Sequence, residues 1–176
     1  IKTDTDVSNS FIMGDPTQIH QVIMNLCTNA AHAMEEKGGV LTIKMDNHEI
    51  GAHLDDKGDA LFPQGPYLRI SVSDTGEGIP PEYLDRVFDP FFTSKEQGKG
   101  TGMGLAVVHG IVEAHKGRIF VESYEKRGTK FEVYFPLLDD PGNPEDPAVC
   151  QQLPTGREHI LLVDDRPQVV ELQKQL

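Results

Sequence analysis

The sequence predicts an α+β domain, and three observations carry that expectation. Residues 15–38 show a capped, amphipathic helix pattern, and residues 67–74 alternate strictly between apolar and polar side chains. Residues 118–123 and 130–135 alternate around a turn near Arg127-Gly128, the pattern of an antiparallel hairpin. At 176 residues the chain is long enough for one domain with a real core, plus an extension.

The first fourteen residues carry little signal beyond Phe11-Ile12-Met13, read as a short strand. Asp15-Pro16-Thr17-Gln18 then supplies an N-cap acid, a proline at the first helical position and a glutamine placed to complete a capping box. Ile19, Val22, Ile23, Leu26, Ala30 and Ala33 recur at helical spacing, Cys27 is a small hydrophobe within the pattern, and Gly38-Gly39 stops the helix. On another side of the same helix Gln21, Asn25, Asn29 and His32 fall at i, i+4, i+8 and i+11, one continuous stripe. A solvated face in an acidic protein would carry Glu, Lys and Arg. Neutral amides in that stripe favour a site.

Residues 40–45 alternate as a strand, and 46–66 read as a long exposed loop or hairpin. The acidic cluster at 55–59 lacks EF-hand spacing and reads as solvated surface. In the next strand Leu68, Ile70 and Val72 point one way and Asp74 shares their face, so a carboxylate closing an apolar stripe needs a partner. Thr75-Gly76-Glu77-Gly78-Ile79 turns the chain, and Pro80-Pro81-Glu82 opens a short helix through Phe88. Then come Asp89-Pro90-Phe91-Phe92-Thr93-Ser94-Lys95 and a run with glycine at positions 98, 100, 102 and 104, leading into a helical pattern over 106–115. Glycines admit a ligand close to the main chain, and a helix start offers free N–H donors, which together make a phosphate cradle; a glycine linker is the plain alternative. The spacing fits neither GxGxxG nor a P-loop.

Past Pro136 the texture changes. Residues 139–157 form an acidic, proline-rich linker, and 158–176 hold an apolar strand ending in Asp164-Asp165 followed by part of a helix. One strand and part of a helix cannot bury a core, so this reads as the start of a second domain.

Two cysteines, Cys27 and Cys150, have no metal-ligand spacing and make no disulfide framework. A net charge of −12 argues against nucleic acid and anionic membrane as partners, and no apolar run is long enough to span a bilayer. The expectation is a cytoplasmic piece of a longer protein, and membrane anchoring of the full-length protein is compatible with it.

The motifs together resemble one family. Asn25-Leu26-Cys27-Thr28-Asn29-Ala30 is similar to an asparagine box, Asp74-Thr75-Gly76-Glu77-Gly78-Ile79 to a first glycine box and Phe88-Asp89-Pro90-Phe91-Phe92 to a phenylalanine box. Gly100-Thr101-Gly102-Met103-Gly104-Leu105 is similar to a second glycine box, and Arg127-Gly128-Thr129-Lys130-Phe131 to the GTxF segment that follows it. In this order over residues 1–138 they resemble the catalytic, ATP-binding domain of two-component sensor histidine kinases. Residues 160–176, with Val163-Asp164-Asp165-Arg166-Pro167, resemble the opening of a response-regulator receiver domain, so the whole is similar to part of a hybrid histidine kinase.

The resemblance implies a two-layer α/β sandwich of the Bergerat type: a mixed, mainly antiparallel sheet with helices on one face, and the nucleotide between helix and lid. It implies ATP and Mg²⁺ as ligands. Asp74 would accept from the adenine amine, where guanine offers an oxygen, so ATP is expected over GTP. Gly76, Gly78 and Ile79 would lie near the base with Thr129; Asn25 would give an amide oxygen to Mg²⁺, and Asn29 would reach phosphate. Gly100, Thr101, Gly102, Met103, Gly104 and Leu105 would hold the phosphates, with Lys95 the nearest cation and Phe91 at the base of the lid. The family pattern is departed from at His32, where many members carry lysine, and in the short lid between Lys95 and Gly100. Without nucleotide, residues 93–103 are expected to be the least ordered.

The expected partners are a histidine-containing dimerisation domain of the same kinase, the receiver domain in cis and a response regulator in trans. None of the seven histidines opens an acceptor signature, so this stretch should bind ATP without phosphorylating itself. ATP-hydrolysing relatives of the fold place glutamate four residues before the metal-binding asparagine. Here Gln21 holds that place, and an amide cannot take up a proton, which favours transfer over hydrolysis. A module that only docks partners is the remaining alternative, disfavoured by intact motifs.

Overall fold

The computed structural model describes residues 1–7, 10–51, 63–93 and 102–138. The chain divides into two units at Asp140–Pro141, and everything described belongs to the first, Ile1–Asp140. The acidic cluster at 55–59, the linker at 139–157 and the segment 158–176 lie outside the described residues.

Eight elements follow in order: β1 (Lys2–Asp6), α1 (Pro16–Ala33), β2 (Thr42–Ile50), β3 (Gly65–Ser73), α2 (Pro81–Leu84), α3 (Gly104–Ala114), β4 (Arg118–Tyr124) and β5 (Gly128–Pro136). The strands form one sheet in the order β1-β2-β3-β5-β4, parallel between β1 and β2 and antiparallel elsewhere. The mixed, mainly antiparallel expectation holds.

Several boundaries differ from the sequence reading. Phe11-Ile12-Met13 is not a strand; Ile12 makes a single bridge to Leu137. The strand of this region is β1, which is exposed along its length and so has no alternation to betray it. Of the two readings of 46–66, loop or hairpin, the hairpin is the one its start follows: strand β2 runs on to Ile50 and pairs antiparallel with β3, with Lys44, Asp46 and His48 on the outward sheet face. The first helix closes at Ala33, before the glycine pair. Asp15 caps it by accepting from the Thr17 N–H at 2.8 Å, without a return bond from Gln18 among the described residues. The helix expected through Phe88 is one turn, Pro81–Leu84.

The core lies between the inner sheet face and α1 and α3. Val22, Leu26 and Ala30 of α1 and Val108 and Val112 of α3 are buried against Ile70, Val72, Phe131, Val133 and Phe135. Cross-strand rows explain the fit: Met45, Ile70, Val133 and Ile119 align across four strands, as do Ile43, Val72, Phe131 and Val121. Burying a side chain such as Leu26 stabilises by about 2 kcal/mol. His115 ties the two helices at their far ends. Its Nε2 accepts from the Asp15 N–H at 3.2 Å, so its Nδ1 carries the proton and donates to the Ile111 carbonyl at 2.8 Å. The outer sheet face is polar where it meets water. Arg69 forks onto Asp46 at 2.9 and 2.7 Å, and Lys130 bridges to Glu132 at 2.9 Å.

Candidate functional site

The inward stripes of three neighbouring strands each end on a polar residue, and all three ends meet at one edge of the core. β3 runs Leu68, Ile70, Val72 and then Asp74; β5, read backwards, runs Phe135, Val133, Phe131 and then Thr129; β4 runs Ile119, Val121 and then Ser123. Asp74, Thr129 and Ser123 are all buried. Asp74 Oδ1 accepts from the Gly76 N–H at 2.8 Å and from the Thr129 N–H at 3.3 Å, while Oδ2 takes no bond among the described residues. Burial pushes the Asp74 carboxyl above its usual range, against the opposite pull of those two N–H donors. A carboxylate held by one oxygen, with the other turned free, is an acceptor waiting for a donor.

The first glycine turn is fixed by the fold around it. Glu77 N–H donates to the Ala33 carbonyl at the end of α1 at 3.1 Å, and the Lys126 N–H donates to the Glu77 carbonyl at 2.6 Å. A Cβ on Gly76 would meet the Ala33 carbonyl oxygen at 2.5 Å. One on Gly78, whose φ is +73°, would run into the Tyr124 carbonyl. These glycines, expected to admit the base, are required by the chain's own packing. Ile79 packs against the core, and its N–H donates to Ser123 Oγ at 2.7 Å.

The amide stripe of α1 faces the start of α3. Asn25 is half-buried, and its Nδ2 donates to the Gly104 carbonyl at 3.3 Å, which leaves Oδ1 unbonded among the described residues. Asn29 is half-buried one turn on, whereas Gln21 and His32 at the two ends are exposed. Asn25 and Ala33 are about 12 Å apart along the helix axis, so α1 spans from the Gly104 edge to the Asp74 edge. Among the described residues no side-chain cap bond is made at the start of α3, whose N-cap position is Met103; Leu105 packs inward on the core. Gly104 differs from the other motif glycines. Among the described residues a Cβ there would meet nothing within 4 Å, and its φ is not in the left-handed region, so the described packing does not require a glycine here.

Phe91 is 76% exposed and holds φ at 65°, a left-handed conformation uncommon for a bulky residue. Its N–H donates to the Gly102 carbonyl at 3.0 Å, and Gly102, also left-handed, would place a Cβ 2.5 Å from the Phe91 carbonyl carbon. The core member of this motif is Phe88, stacked near His109 and edge-on to Phe131. Phe92 packs on Tyr83 and lies under the Arg86 guanidinium at 4.8 Å. Lys95, Gly100 and Thr101 lie outside the described residues, as does most of the 93–103 stretch expected to be least ordered.

Among the described residues no three His, Cys, Asp or Glu side chains gather as a metal cage. Asn25 Oδ1 suits Mg²⁺ all the same, because that ion keeps several waters and takes most of its protein-side charge from phosphate. A hollow of about 440 Å³ lined by Ile12, Gly14, Pro16, Ile19, His20 and Ile23 lies at the other end of α1 and is mainly apolar. Converging polar groups, rather than volume, mark the site.

Residues 14–139 match the family described as histidine kinase-, DNA gyrase B- and HSP90-like ATPases. The chain belongs to this ATPase family. It is 35% identical over 170 residues to the sensor kinase CckA of Brucella abortus, covering 90% of this chain and 17% of that protein. It is 37% identical over 137 residues to sporulation kinase A of Bacillus subtilis, covering 77% and 19%. The chain thus spans about a fifth of these relatives. Among solved structures it matches the nucleotide-free catalytic domain of histidine kinase ThkA at 30% identity and a TM-score of 0.57, covering 76% of this chain and 77% of that one.

Within this ATPase fold, sequence reasoning placed Asp74, Thr129, Asn25 and Gly104 where two hydrogen-bonded clusters form. It passed over Ser123. The signal was present: three inward stripes end in polar residues, and only two of those ends were singled out. The backbone role of Ala33 had no signal in the sequence, since it follows from where α1 stops.

Proposed function

We propose that this domain binds Mg-ATP between α1 and α3 and passes the γ-phosphate to a histidine on a separate helical domain of the same full-length protein, as part of a two-component relay. The observation that carries this reading is the Asp74 carboxylate, fixed through Oδ1 by the Gly76 and Thr129 N–H groups with Oδ2 left open, in an ATPase domain whose relatives include sensor kinases. Oδ2 accepts from the adenine amine, and guanine's carbonyl would be repelled there. Asn25 Oδ1 would help hold Mg²⁺, which when bound would supply positive charge against the phosphates. Asn29, the start of α3 and the lid residues Lys95, Gly100 and Thr101 hold the triphosphate, and the missing side chain at Gly104 lets the chain pass close to it. Phosphoryl transfer asks of the protein mainly position and charge, which these groups supply. His32 is exposed at the end of the stripe and serves there in place of lysine as a phosphate contact.

Gln21 separates transfer from hydrolysis. Its exposed amide lies one turn before Asn25 and cannot activate water. Beyond Pro136 the reading comprises a linker over 139–157 and the opening of a receiver domain over 158–176. The alignment with the Brucella sensor kinase covers 90% of the chain and so runs past residue 139. That receiver and a separate response regulator are the partners expected downstream.

The test is reconstitution. This chain, labelled γ-phosphate ATP and the histidine-bearing domain of the same protein are mixed, and acid-labile, base-stable label is sought on that domain. Label should appear only with both parts present, and the chain alone should neither label itself nor release phosphate. Steady ATP turnover by the chain alone, abolished by Gln21→Ala, would sink the transfer reading.

A further inference from the structure

Among the described residues α3 is tied to the α1 segment by a hydrogen bond at each end. Asn25 Nδ2 donates to the Gly104 carbonyl at 3.3 Å, and His115 Nε2 accepts from the Asp15 N–H at 3.2 Å. Asn25 lies 10 residues after Asp15 and His115 lies 11 after Gly104, spans of about 15 and about 17 Å, so the two helices run antiparallel with matched lengths between the ties. Between those points α3 packs on the core through Leu105, Val108, Ile111 and Val112. Apolar contact is non-directional. It fixes the spacing of two helices better than their slide along one another, which bonds of fixed direction set.

The His115 tie joins main chain to main chain, since one ring nitrogen bonds the N-cap of α1 and the other donates to the Ile111 carbonyl of α3 at 2.8 Å. The ring is closely seated. A Cβ on Gly14 would lie 2.9 Å from its Cδ2, and it meets the Phe135 ring of β5 edge-on at 5.9 Å. The tie at Gly104 is longer and comes from a side chain that would also hold Mg²⁺. We infer that His115 is a positioning residue for phosphate binding: it fixes how far α3 lies along α1, and so where the N–H groups of the first turn of α3 meet the phosphates. A slide of about 1 Å would carry a contact of about 2.9 Å out of hydrogen-bonding range. The base end is spared, because Asp74, Gly76 and Thr129 stand on the sheet and the first glycine turn rather than on α3. The inference rests on the Mg-ATP reading given above and adds a residue at the opposite end of α3 from the nucleotide.

The test compares wild type with His115→Leu, which keeps apolar contact with Phe135 and removes both ring nitrogens, at a temperature well below both melting points. Mg-ATP is titrated calorimetrically, and adenosine, which carries the base and ribose alone, by NMR shift titration into the millimolar range. His115→Leu should weaken Mg-ATP about fivefold and leave adenosine within about twofold of wild type. Gly14→Ala keeps the histidine but presses a Cβ onto its ring, and should move the same ratio in the same direction. Equal changes for both ligands, or an unchanged Mg-ATP affinity, overturn the inference, since a residue needed only for stability moves both or neither. If the leucine variant does not fold, Gly14→Ala decides by the same ratio. Failure of both variants to fold assigns His115 to structure alone and overturns it too, as does a wild type that binds Mg-ATP but no adenosine, because the base end then does not stand apart from α3. A wild-type protein that binds no Mg-ATP overturns the nucleotide reading and this inference with it, an outcome separate from the others.

Discussion

Replacing Asp74 by asparagine probes base recognition without removing the fold's own bonds. The amide keeps an oxygen for the Gly76 and Thr129 N–H groups, and its NH₂ then occupies the place of Oδ2. The two backbone bonds lose their charge assistance. Against that stands the cost of burying a carboxylate, the larger effect here because the Asp74 pKa is raised rather than lowered. A raised folded pKa means that the ionised form weakens the fold above that pKa, so at neutral pH a neutral amide should leave the melting temperature level or higher. Binding responds differently. A hydrogen bond to a charged group contributes about 1.5–3 kcal/mol, and an amide NH₂ facing the adenine amine offers donor to donor, so the Kd for Mg-ATP should rise about 10- to 100-fold. The same NH₂ suits the guanine oxygen, and the ATP-over-GTP preference should collapse towards unity. Calorimetric titration with both nucleotides, alongside thermal melts, reads all three quantities. An Asp74→Asn protein that keeps the wild-type ATP affinity, or the wild-type ATP-to-GTP ratio, refutes the reasoning.

Three further outcomes are expected. Asn25→Ala removes the 3.3 Å bond to Gly104 and should lower the melting point by about 4 °C, through about 1 kcal/mol, while weakening ATP in the presence of Mg²⁺ more than in EDTA. Gly78→Ala should cost more than about 2 kcal/mol in chemical denaturation, from its left-handed φ and the Tyr124 carbonyl; Gly104→Ala should cost nothing in the same assay yet weaken Mg-ATP at least about tenfold. The pH dependence follows from Asp74. Bonding to the adenine amine favours the carboxylate, so the bound pKa lies below the raised free value, and affinity should climb as pH rises between them and level off above. Folding stability carries the opposite sign across that group's titration, and Asp74→Asn should lose the affinity slope.

The parts of the fold legible in the sequence were those with a dry side and a wet one. Residues 67–74 and the hairpin of β4 and β5 show clean alternation because one face meets α1 and α3 and the other meets water. Strand β1 was invisible because an edge strand exposed along its length has no apolar side to mark. The second half of β2 left loop and hairpin open because its outward residues pair with those of β3 by charge rather than by apolar alternation: Asp46 faces Arg69 across the register. At the site, Asp74 stood out as a carboxylate ending an apolar stripe, whereas Ser123 ends its own stripe as a small hydroxyl that packs without conspicuous cost. Glycines were recognised but their reasons were not. Only a backbone shows that Gly76 and Gly78 face Ala33 and Tyr124, while Gly104 faces none of the described residues.

The bond between the Phe91 N–H and the Gly102 carbonyl has an evolutionary side. It joins the two ends of the intervening stretch at a neck built from described residues, so the ends are brought together by the neck. The entropy of closing a loop grows only with the logarithm of its length, and doubling the stretch would cost about 0.6 kcal/mol. Insertions and substitutions between the two residues can therefore accumulate with little penalty to folding. A lineage can vary this stretch while the sheet and its two helices stay as they are.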